Sequence, residues 1–477
     1  MVLSSSGVKT RRGRTALLLV AGILVYLLAF LALYPRTTAI VDENAYLTGA
    51  YLIRTGRLAY EGSAIPAPHM TVESNGHLVS KYPPGTSLFL APFTLPNWRA
   101  VFVSGLLLAL AGLALVGLIL KRLSPGTDPV WALLYLFYPA VVLLSRTVMS
   151  DLLSATLVLA SFYCLLRGRN WLVLSGFILG LACLVRYSNA VFLPVFLLLA
   201  LRPRGSRLRS ALLLAVGFLP PAALIAAYNA YAYGSPFSFP MYLTGQFSPA
   251  FFPHNAWYYG TTLLLLYPLM LAAPLASGKG NRLLLGLPAY AVLGLYCFFS
   301  YTYDVPNLPA RLTLGLRYLL PGLPFFMISF VLVADRLLGR LRANWLKYAA
   351  VACMALLSIA IQLRHDRFLA VQSEHQRLLL DNVPESALLL CDASTSELVS
   401  HAWGWRDYRH IAEFNVPIPL DSVFAGDRPL YAGLTMKSGE QNPVMLTIFE
   451  ALLARFPQRT LVVETRTPRK FRLYRLR

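Results

Sequence analysis

The chain is poor in charge. Asp, Glu, Lys and Arg make up 13% of its 477 residues, about half the share found in a soluble domain. Acid is scarcest, with 21 Asp and Glu against 42 Lys and Arg. Cysteine is scarce too. Cys164, Cys183, Cys297, Cys353 and Cys391 include no CxxC pair, which excludes a disulfide framework and a Cys-based zinc site. Four of them lie in apolar runs and read as small buried hydrophobes. What fills the space is apolar: 57% of residues are hydrophobic, mean hydropathy is +0.58, and runs near twenty residues recur, the length that crosses a hydrocarbon core.

A net charge of +21 could suggest nucleic acid, but the excess forms no patch. Residues 1–362 hold 27 Lys/Arg and 8 Asp/Glu, a net of +19, and residues 363–477 hold 15 and 13, a net of +2. The basic residues fall in short loops between apolar runs, where they encode orientation in a membrane. The first run, Thr15–Tyr34, is too long for a signal-peptide core and lacks a small-residue cleavage site after it, so it reads as an anchored span.

Eleven spans are predicted: Thr15–Tyr34, Val101–Leu120, Val130–Ser145, Leu152–Leu166, Trp171–Val185, Ala190–Leu201, Ala211–Tyr231, Trp257–Leu275, Leu283–Tyr301, Leu314–Val333 and Trp345–Leu363. The four between residues 130 and 201 are shorter than a full crossing and read as tilted pairs or re-entrant hairpins. One set of loops carries 18 basic residues and the alternate set carries 9 over longer loops. The first set, and with it the N-terminus, is placed in the cytoplasm. Asp42, Glu43, Glu61, Glu73, Asp151 and Asp304 then fall on the outer face, and only Asp128 and Asp335 fall inside. Carboxylates gathered on one face near membrane depth point to a polar site there.

Residues 35–100 form a long first outer loop with internal structure. Asp42–Arg57 has apolar residues at helical spacing and is expected to lie at the membrane interface as an amphipathic helix. Thr71–Ser80 reads as a hairpin turned at Asn75-Gly76. Lys81-Tyr82-Pro83-Pro84-Gly85 then opens an apolar helix, with the paired prolines fixing the chain just ahead of it.

The order of these features carries a resemblance. Asp42-Glu43 with Tyr46 follows the first span, and Lys-Tyr-Pro-Pro-Gly comes about forty residues later. Ser145–Asp151 (SRTVMSD) then tops a span, Tyr233–Phe237 (YGSPF) follows the seventh, and Arg317–Pro321 (RYLLP) opens the tenth. Together, over roughly residues 15–335, they resemble the C-type glycosyltransferase superfamily, in particular bacterial members similar to protein O-mannosyltransferases and the lipid A aminoarabinose transferase. The resemblance implies a membrane-embedded enzyme that takes a sugar from a polyprenyl-phosphate carrier and delivers it to a lipid, glycan or protein acceptor. A bacterial inner membrane is the expected setting, with transfer at the outer face. No nucleic-acid partner and no certain cofactor are implied. Some relatives use a divalent cation and others do not, and Asp42 with Glu43 would hold one.

Each implied role has a plainer reading beside it. Asp42 is the first choice for the catalytic carboxylate, with Glu43 able to serve instead; both also suit the positive end of a helix. Asp151 matches the family's second acidic position, with Arg146 as its expected partner, and it equally suits a helix start. Lys81 is assigned to the carrier phosphate, against the alternative of a lysine meeting lipid headgroups. Arg317 is a second phosphate candidate, because an arginine in an apolar run is costly unless paired or at the interface. Arg311 is weaker, and Arg54, Arg57 and Arg146 serve the donor or the headgroups. Tyr82 and the aromatics Trp257, Tyr258 and Tyr259 line a sugar pocket or form an interfacial belt. Tyr46, His69, Glu73 and His77 read as acceptor-side or loop residues, since two lone histidines make no metal site.

The expected fold is therefore an all-α polytopic membrane domain, residues 1–363, with about eleven transmembrane helices and a large structured outer loop. A small extracytoplasmic α/β domain follows over residues 364–477, with Ala387–Cys391 and Thr460–Val463 as buried strands and Asn442–Phe456 as a helix. The rival function is a transporter or flippase of a lipid-linked or small polar substrate. It would place functional charges at mid-membrane, commonly in repeated halves, and the sequence has neither.

Overall fold

The computed structural model describes residues 5–60, 70–202, 207–238, 246–300, 307–411, 428–436, 443–465 and 470–477. The chain divides into two compact units: Met1–Tyr34 with Pro83–Phe89 and Ala100–His365, and Pro35–Tyr82 with Leu90–Arg99 and Asp366–Arg477. The second unit thus combines most of the first loop with the tail, which the sequence reading had kept in separate domains.

The first unit is helical. In chain order it holds α1 (Ser5–Ala32), α3 (Gly85–Leu90), α4 (Val101–Leu123), α5 (Leu133–Leu136), α6 (Pro139–Leu144), α7 (Ser150–Arg167), α8 (Leu172–Val185), α9 (Phe192–Ala200), α10 (Arg207–Tyr233), α11 (Phe252–Leu266), α12 (Ala273–Ala276), α13 (Lys279–Cys297), α14 (Leu308–Thr313) and α15 (Leu323–Arg340); α2 (Val41–Arg54) belongs to the second unit. Among the described residues five helices are long and apolar enough to cross a membrane, or six if the bent pair Leu308–Leu319 and Leu323–Arg340 is one span. The protein is an integral membrane protein.

Every predicted span contains helix, but several are broken, and prolines account for the breaks. Val130–Ser145 is a 3-10 turn, α5 and α6, with the break between the two helices just ahead of Pro139. Trp257–Leu275 stops at Leu266, two residues before Pro268. Leu314–Val333 bends by 109° around Pro321. A proline has no N–H to continue the helix ladder and its ring clashes with the preceding turn, so an apolar window long enough for one helix yields two. Gly85 explains why the prolines end in glycine: a Cβ there would stand 2.5 Å from the carbonyl oxygen of Leu184 and 2.8 Å from the nitrogen of Val185, both rigid backbone at the end of α8.

Helix α16 (Trp345–Asn382) is 38 residues long, and runs nineteen residues past the predicted end of the final span at Leu363. Beyond His365 its buried side chains are Leu369, Gln372, His375, Gln376 and Leu379. That stripe at helical spacing keeps the helix going after lipid-compatible residues run out.

In the second unit, strands β1 (Thr71–Ser74) and β2 (His77–Ser80) pair antiparallel around Asn75-Gly76, with φ of 50° and 74°. Two positive φ values in a two-residue loop are the requirement of the expected hairpin turn. The tail forms a five-stranded mixed sheet in the order β4 (Asp407–His410), β3 (Leu388–Cys391), β5 (Leu430–Met436), β7 (Lys470–Arg475), β6 (Thr460–Thr465). The end of α16 covers one face through Leu379, packed with Leu389, Cys391, Tyr408 and Phe471. Helix α18 (Pro443–Ala454) covers the other through Phe449, Leu452 and Leu453, packed with Leu388, Leu390 and Ala432. Short helix α17 (Ala393–Ser396) follows β3.

Two expectations need correction here. β6 is not a buried strand: it lies at the sheet edge with Leu461 half exposed. Cys353 is exposed on α16, whereas the other four cysteines are buried. In α2 burial is not confined to one apolar stripe. Nine of its fourteen residues are buried, polar Asp42, Glu43, Asn44 and Thr48 among them.

Candidate active site

The start of α2 is built by its own acid. Ile40 is extended, and Glu43 Oε1 accepts hydrogen bonds from the amides of Ala39 (2.7 Å) and Ile40 (2.9 Å). The Glu43 carboxylate is thereby occupied in forming the helix start, with its charge at the positive end of the dipole. Asp42, one residue earlier and 7% exposed, has no share in those two bonds. It interacts electrostatically with Lys81. Burial pushes the Lys81 ammonium below its ordinary pKa and the Asp42 carboxylate pulls it back up.

Lys81 is placed by the hairpin: its amide donates to the Met70 carbonyl at 3.0 Å, continuing the β1–β2 ladder by one step. Its ammonium lies 6.0 Å from the ring centre of Tyr82. The Tyr82 ring in turn lies 4.8 Å from that of Tyr46, one helical turn along from Asp42. Asp42, Tyr46, Lys81 and Tyr82 are therefore gathered by the second unit. Arg54 is not with them. It sits at the far end of α2, about 18 Å along the axis, exposed, with its guanidinium on the Thr94 carbonyl at 3.1 Å. Glu73 is exposed on β1, and His77 pairs opposite Ser74. His69, Glu61 and Asp304 lie outside the described residues.

The first unit has a polar cluster of its own. Asp151 is the second residue of α7 and 1% exposed. Its partner is Arg186, whose Nη1 donates to Asp151 Oδ1. The expected partner, Arg146, is buried elsewhere, with Nε 3.4 Å from His365 Nδ1 and its guanidinium 5.9 Å from the Phe30 ring. Topology explains the exchange. α7 and α8 are joined by the tight turn at Gly168–Trp171, so the end of α8, where Arg186 follows, comes back beside the start of α7. Asn189 fixes that end by donating to Ser154 Oγ and to the Ala182 carbonyl, both at 2.7 Å.

Arg186 also lies 5.4 Å over the ring of Tyr318, and Arg317 lies 4.9 Å over the same ring. Tyr318 stacks on Tyr296 at 5.3 Å, and the Tyr296 hydroxyl donates to Ser188 at 2.9 Å. Asp151, Arg186, Arg317 and Tyr318 thus share one neighbourhood. Arg311 is taken up by the Thr262 hydroxyl at 2.7 Å, the Thr261 hydroxyl, and the Tyr258 carbonyl at 3.2 Å, so it ties α14 to α11. Sequence reasoning missed Arg186 and Tyr318 as site residues. Arg186 could have been found by folding Leu152–Val185 as an antiparallel pair.

The two carboxylates nominated for a divalent cation, Asp42 and Glu43, differ in what they already hold. Among the described residues no three His, Cys, Asp or Glu side chains come together, and one of the two nominated carboxylates, Glu43, is engaged by backbone amides. No step below is routed through a metal.

No family model and no curated protein matches the sequence. The fold does match solved structures. ArnT from Cupriavidus metallidurans bound to undecaprenyl phosphate superposes with a TM-score of 0.61 at 13% identity, over 97% of this chain and 98% of that one. The apo state of the same protein gives 0.60 at 14% identity. The archaeal oligosaccharyltransferase AglB from Archaeoglobus fulgidus, in complex with an inhibitory peptide and a dolichol-phosphate, gives 0.52 at 11% identity over 92% and 71% of the two chains. Identity this low speaks to architecture, and over nearly its whole length this chain has the fold of the C-type glycosyltransferases.

Proposed function

We propose that the protein is an inverting glycosyltransferase that moves a sugar from a polyprenyl-phosphate carrier to an acceptor hydroxyl at the outer face of the membrane. The observation that carries this reading is a buried Asp42 near enough to Lys81 to raise its pKa, in a chain whose fold is similar to that of ArnT. In this reading Asp42 takes the proton of the acceptor O–H, and the acceptor oxygen attacks the anomeric carbon. The carbon–oxygen bond to phosphate breaks, and polyprenyl phosphate leaves with the electron pair. Attack in line with departure inverts the anomeric configuration.

Lys81 serves the carrier phosphate, where negative charge develops; a cation held away from bulk water stabilises that charge more than an exposed one does. Within the membrane unit, Arg317 is the phosphate candidate, with Arg186 over the same Tyr318 ring. Asp151 orients Arg186, which makes it a positioning residue and not a second base. Glu43 builds the helix start, Tyr46 and Tyr82 offer aromatic surface to the sugar, and the eleven-span topology with a cytoplasmic N-terminus stands as part of the reading.

The test is a transfer assay on detergent-purified protein with labelled polyprenyl-phosphate sugars and a membrane extract as acceptor source. Polyprenyl phosphate should appear in step with sugar on the acceptor. Failure to consume any such donor would overturn the reading.

The tail adds a prediction about acid. His401 is buried, its ring centre 4.9 Å from that of Trp98 with the two rings tilted, and 2.9 Å from Gln376 Nε2. Burial pushes its pKa from 6.5 down to about 4. The unfolded chain therefore binds the proton first, so the stability that neutral His401 contributes is full above pH 6.5 and is lost as pH falls towards 4, on the order of 3 kcal/mol across that window. The melting temperature should fall between pH 7 and pH 5, and His401→Asn should flatten that fall.

A further inference from the structure

The sequence leaves the tail domain's role open between acceptor recognition and capping of the active site. Within the second unit its side chains are bonded to the turn that carries Asp42. Asn44, two residues on, donates from Nδ2 to the Glu397 carbonyl and to Ser400 Oγ, both at 2.7 Å, and accepts from Thr38 Oγ1 at 3.0 Å. Ahead of the helix, Thr37 Oγ1 donates to Gln376 Oε1 at 2.8 Å. That bond fixes the orientation of the Gln376 amide. Its Nε2 then donates to the Leu398 carbonyl at 2.8 Å and to His401 Nε2. Arg99 Nη2 donates to the Pro35 carbonyl at 3.2 Å. Asn44, Thr37 and His401 are each at most 2% exposed and Gln376 is 8% exposed.

We propose that Asn44, Gln376 and His401 are positioning residues for Asp42, so that the tail domain is a working part of the transferase. This rests on Asp42 being the base. Two residues along a helix turn the side chain by about 200°, which fits Asn44 reaching the tail while Asp42 interacts with Lys81. Bonds on both sides of Asp42, at Thr37 and at Asn44, fix where its turn begins and how it is rotated. Apolar packing alone would hold the segment without fixing either, whereas directional bonds between buried groups specify one arrangement. The sensitivity is large, because a misplacement of about 1 Å at a reacting group costs on the order of 100-fold in rate.

The experiment is a double-mutant cycle in the transfer assay. Asn44→Ala is expected to lower kcat roughly 10- to 100-fold with KM for the donor unchanged, and to have no further effect in an Asp42→Asn background. Ser400→Ala, which removes one of Asn44's two acceptors, is expected to lower kcat by a smaller factor in the same pattern, and it decides the matter if Asn44→Ala does not purify folded. Wild-type kcat in the folded variants, or effects that multiply with Asp42→Asn, would overturn the proposal. If Asp42→Asn itself keeps full activity, it is the base assignment that fails.

Discussion

Asp42→Asn is expected to lower the rate of sugar transfer by 10²- to 10⁴-fold, the usual contribution of a general base, while carrier binding and melting temperature stay near wild type. The substitution keeps the shape of the side chain and suits a helix N-terminus, so the start of α2 survives; the bonds that form it come from Glu43. Lys81 is untouched. What is lost is a lone pair basic enough to take the acceptor proton. Glu43→Gln separates the two carboxylates. Its amide oxygen can still accept from Ala39 and Ile40, so the variant should keep its transfer rate within a few-fold and lose about 0.3–1 kcal/mol of helix-end electrostatics. The reverse ranking of the two variants would move the base to Glu43.

Arg186→Ala should be the most damaging single change to stability, at about 3–5 kcal/mol, because it leaves the Asp151 carboxylate buried with no compensating charge. Asp151 is 1% exposed, and its second oxygen, Oδ2, already has no hydrogen-bond partner among the described residues. Asp151→Asn should cost less, since Arg186 keeps its contact with Tyr318 and its side chain is 13% exposed. The double variant Asp151→Asn/Arg186→Gln should recover part of the loss, because no charge remains to be compensated. Thermal unfolding in detergent measures all three. An Arg186→Ala protein as stable as wild type would show that the pair contributes nothing.

Much of this was legible in the sequence, and the gaps have physical causes. The hairpin at Asn75-Gly76 follows from a turn that only such residues make without strain. Lys81 and Tyr82 stand out in the sequence because the prolines and Gly85 pin the chain there. The tail strand Leu388–Cys391 showed as an unbroken apolar run because it is buried on both faces. Span continuity was misjudged where hydropathy and backbone geometry disagree, as at Pro139 and Pro321. Pairing was misjudged where sequence distance misleads: Arg146 is nearer Asp151 along the chain, but the α7–α8 turn delivers Arg186. The bonds of Asn44 and Gln376 join residues more than 300 positions apart and have no local signature. Asp42 stands ahead of Glu43 in the sequence only through the family resemblance, because both suit a helix start; the amides of Ala39 and Ile40 on Glu43 supply a physical difference between them.

The central claim is that this protein binds a polyprenyl-phosphate carrier through Lys81, and native mass spectrometry of the detergent-purified protein tests it most directly. Wild type should carry, or take up when offered, one polyprenyl phosphate, and Lys81→Ala should lose most of it while remaining folded. A wild-type protein that binds no such lipid even when it is supplied would contradict the account and put a transport function ahead of it.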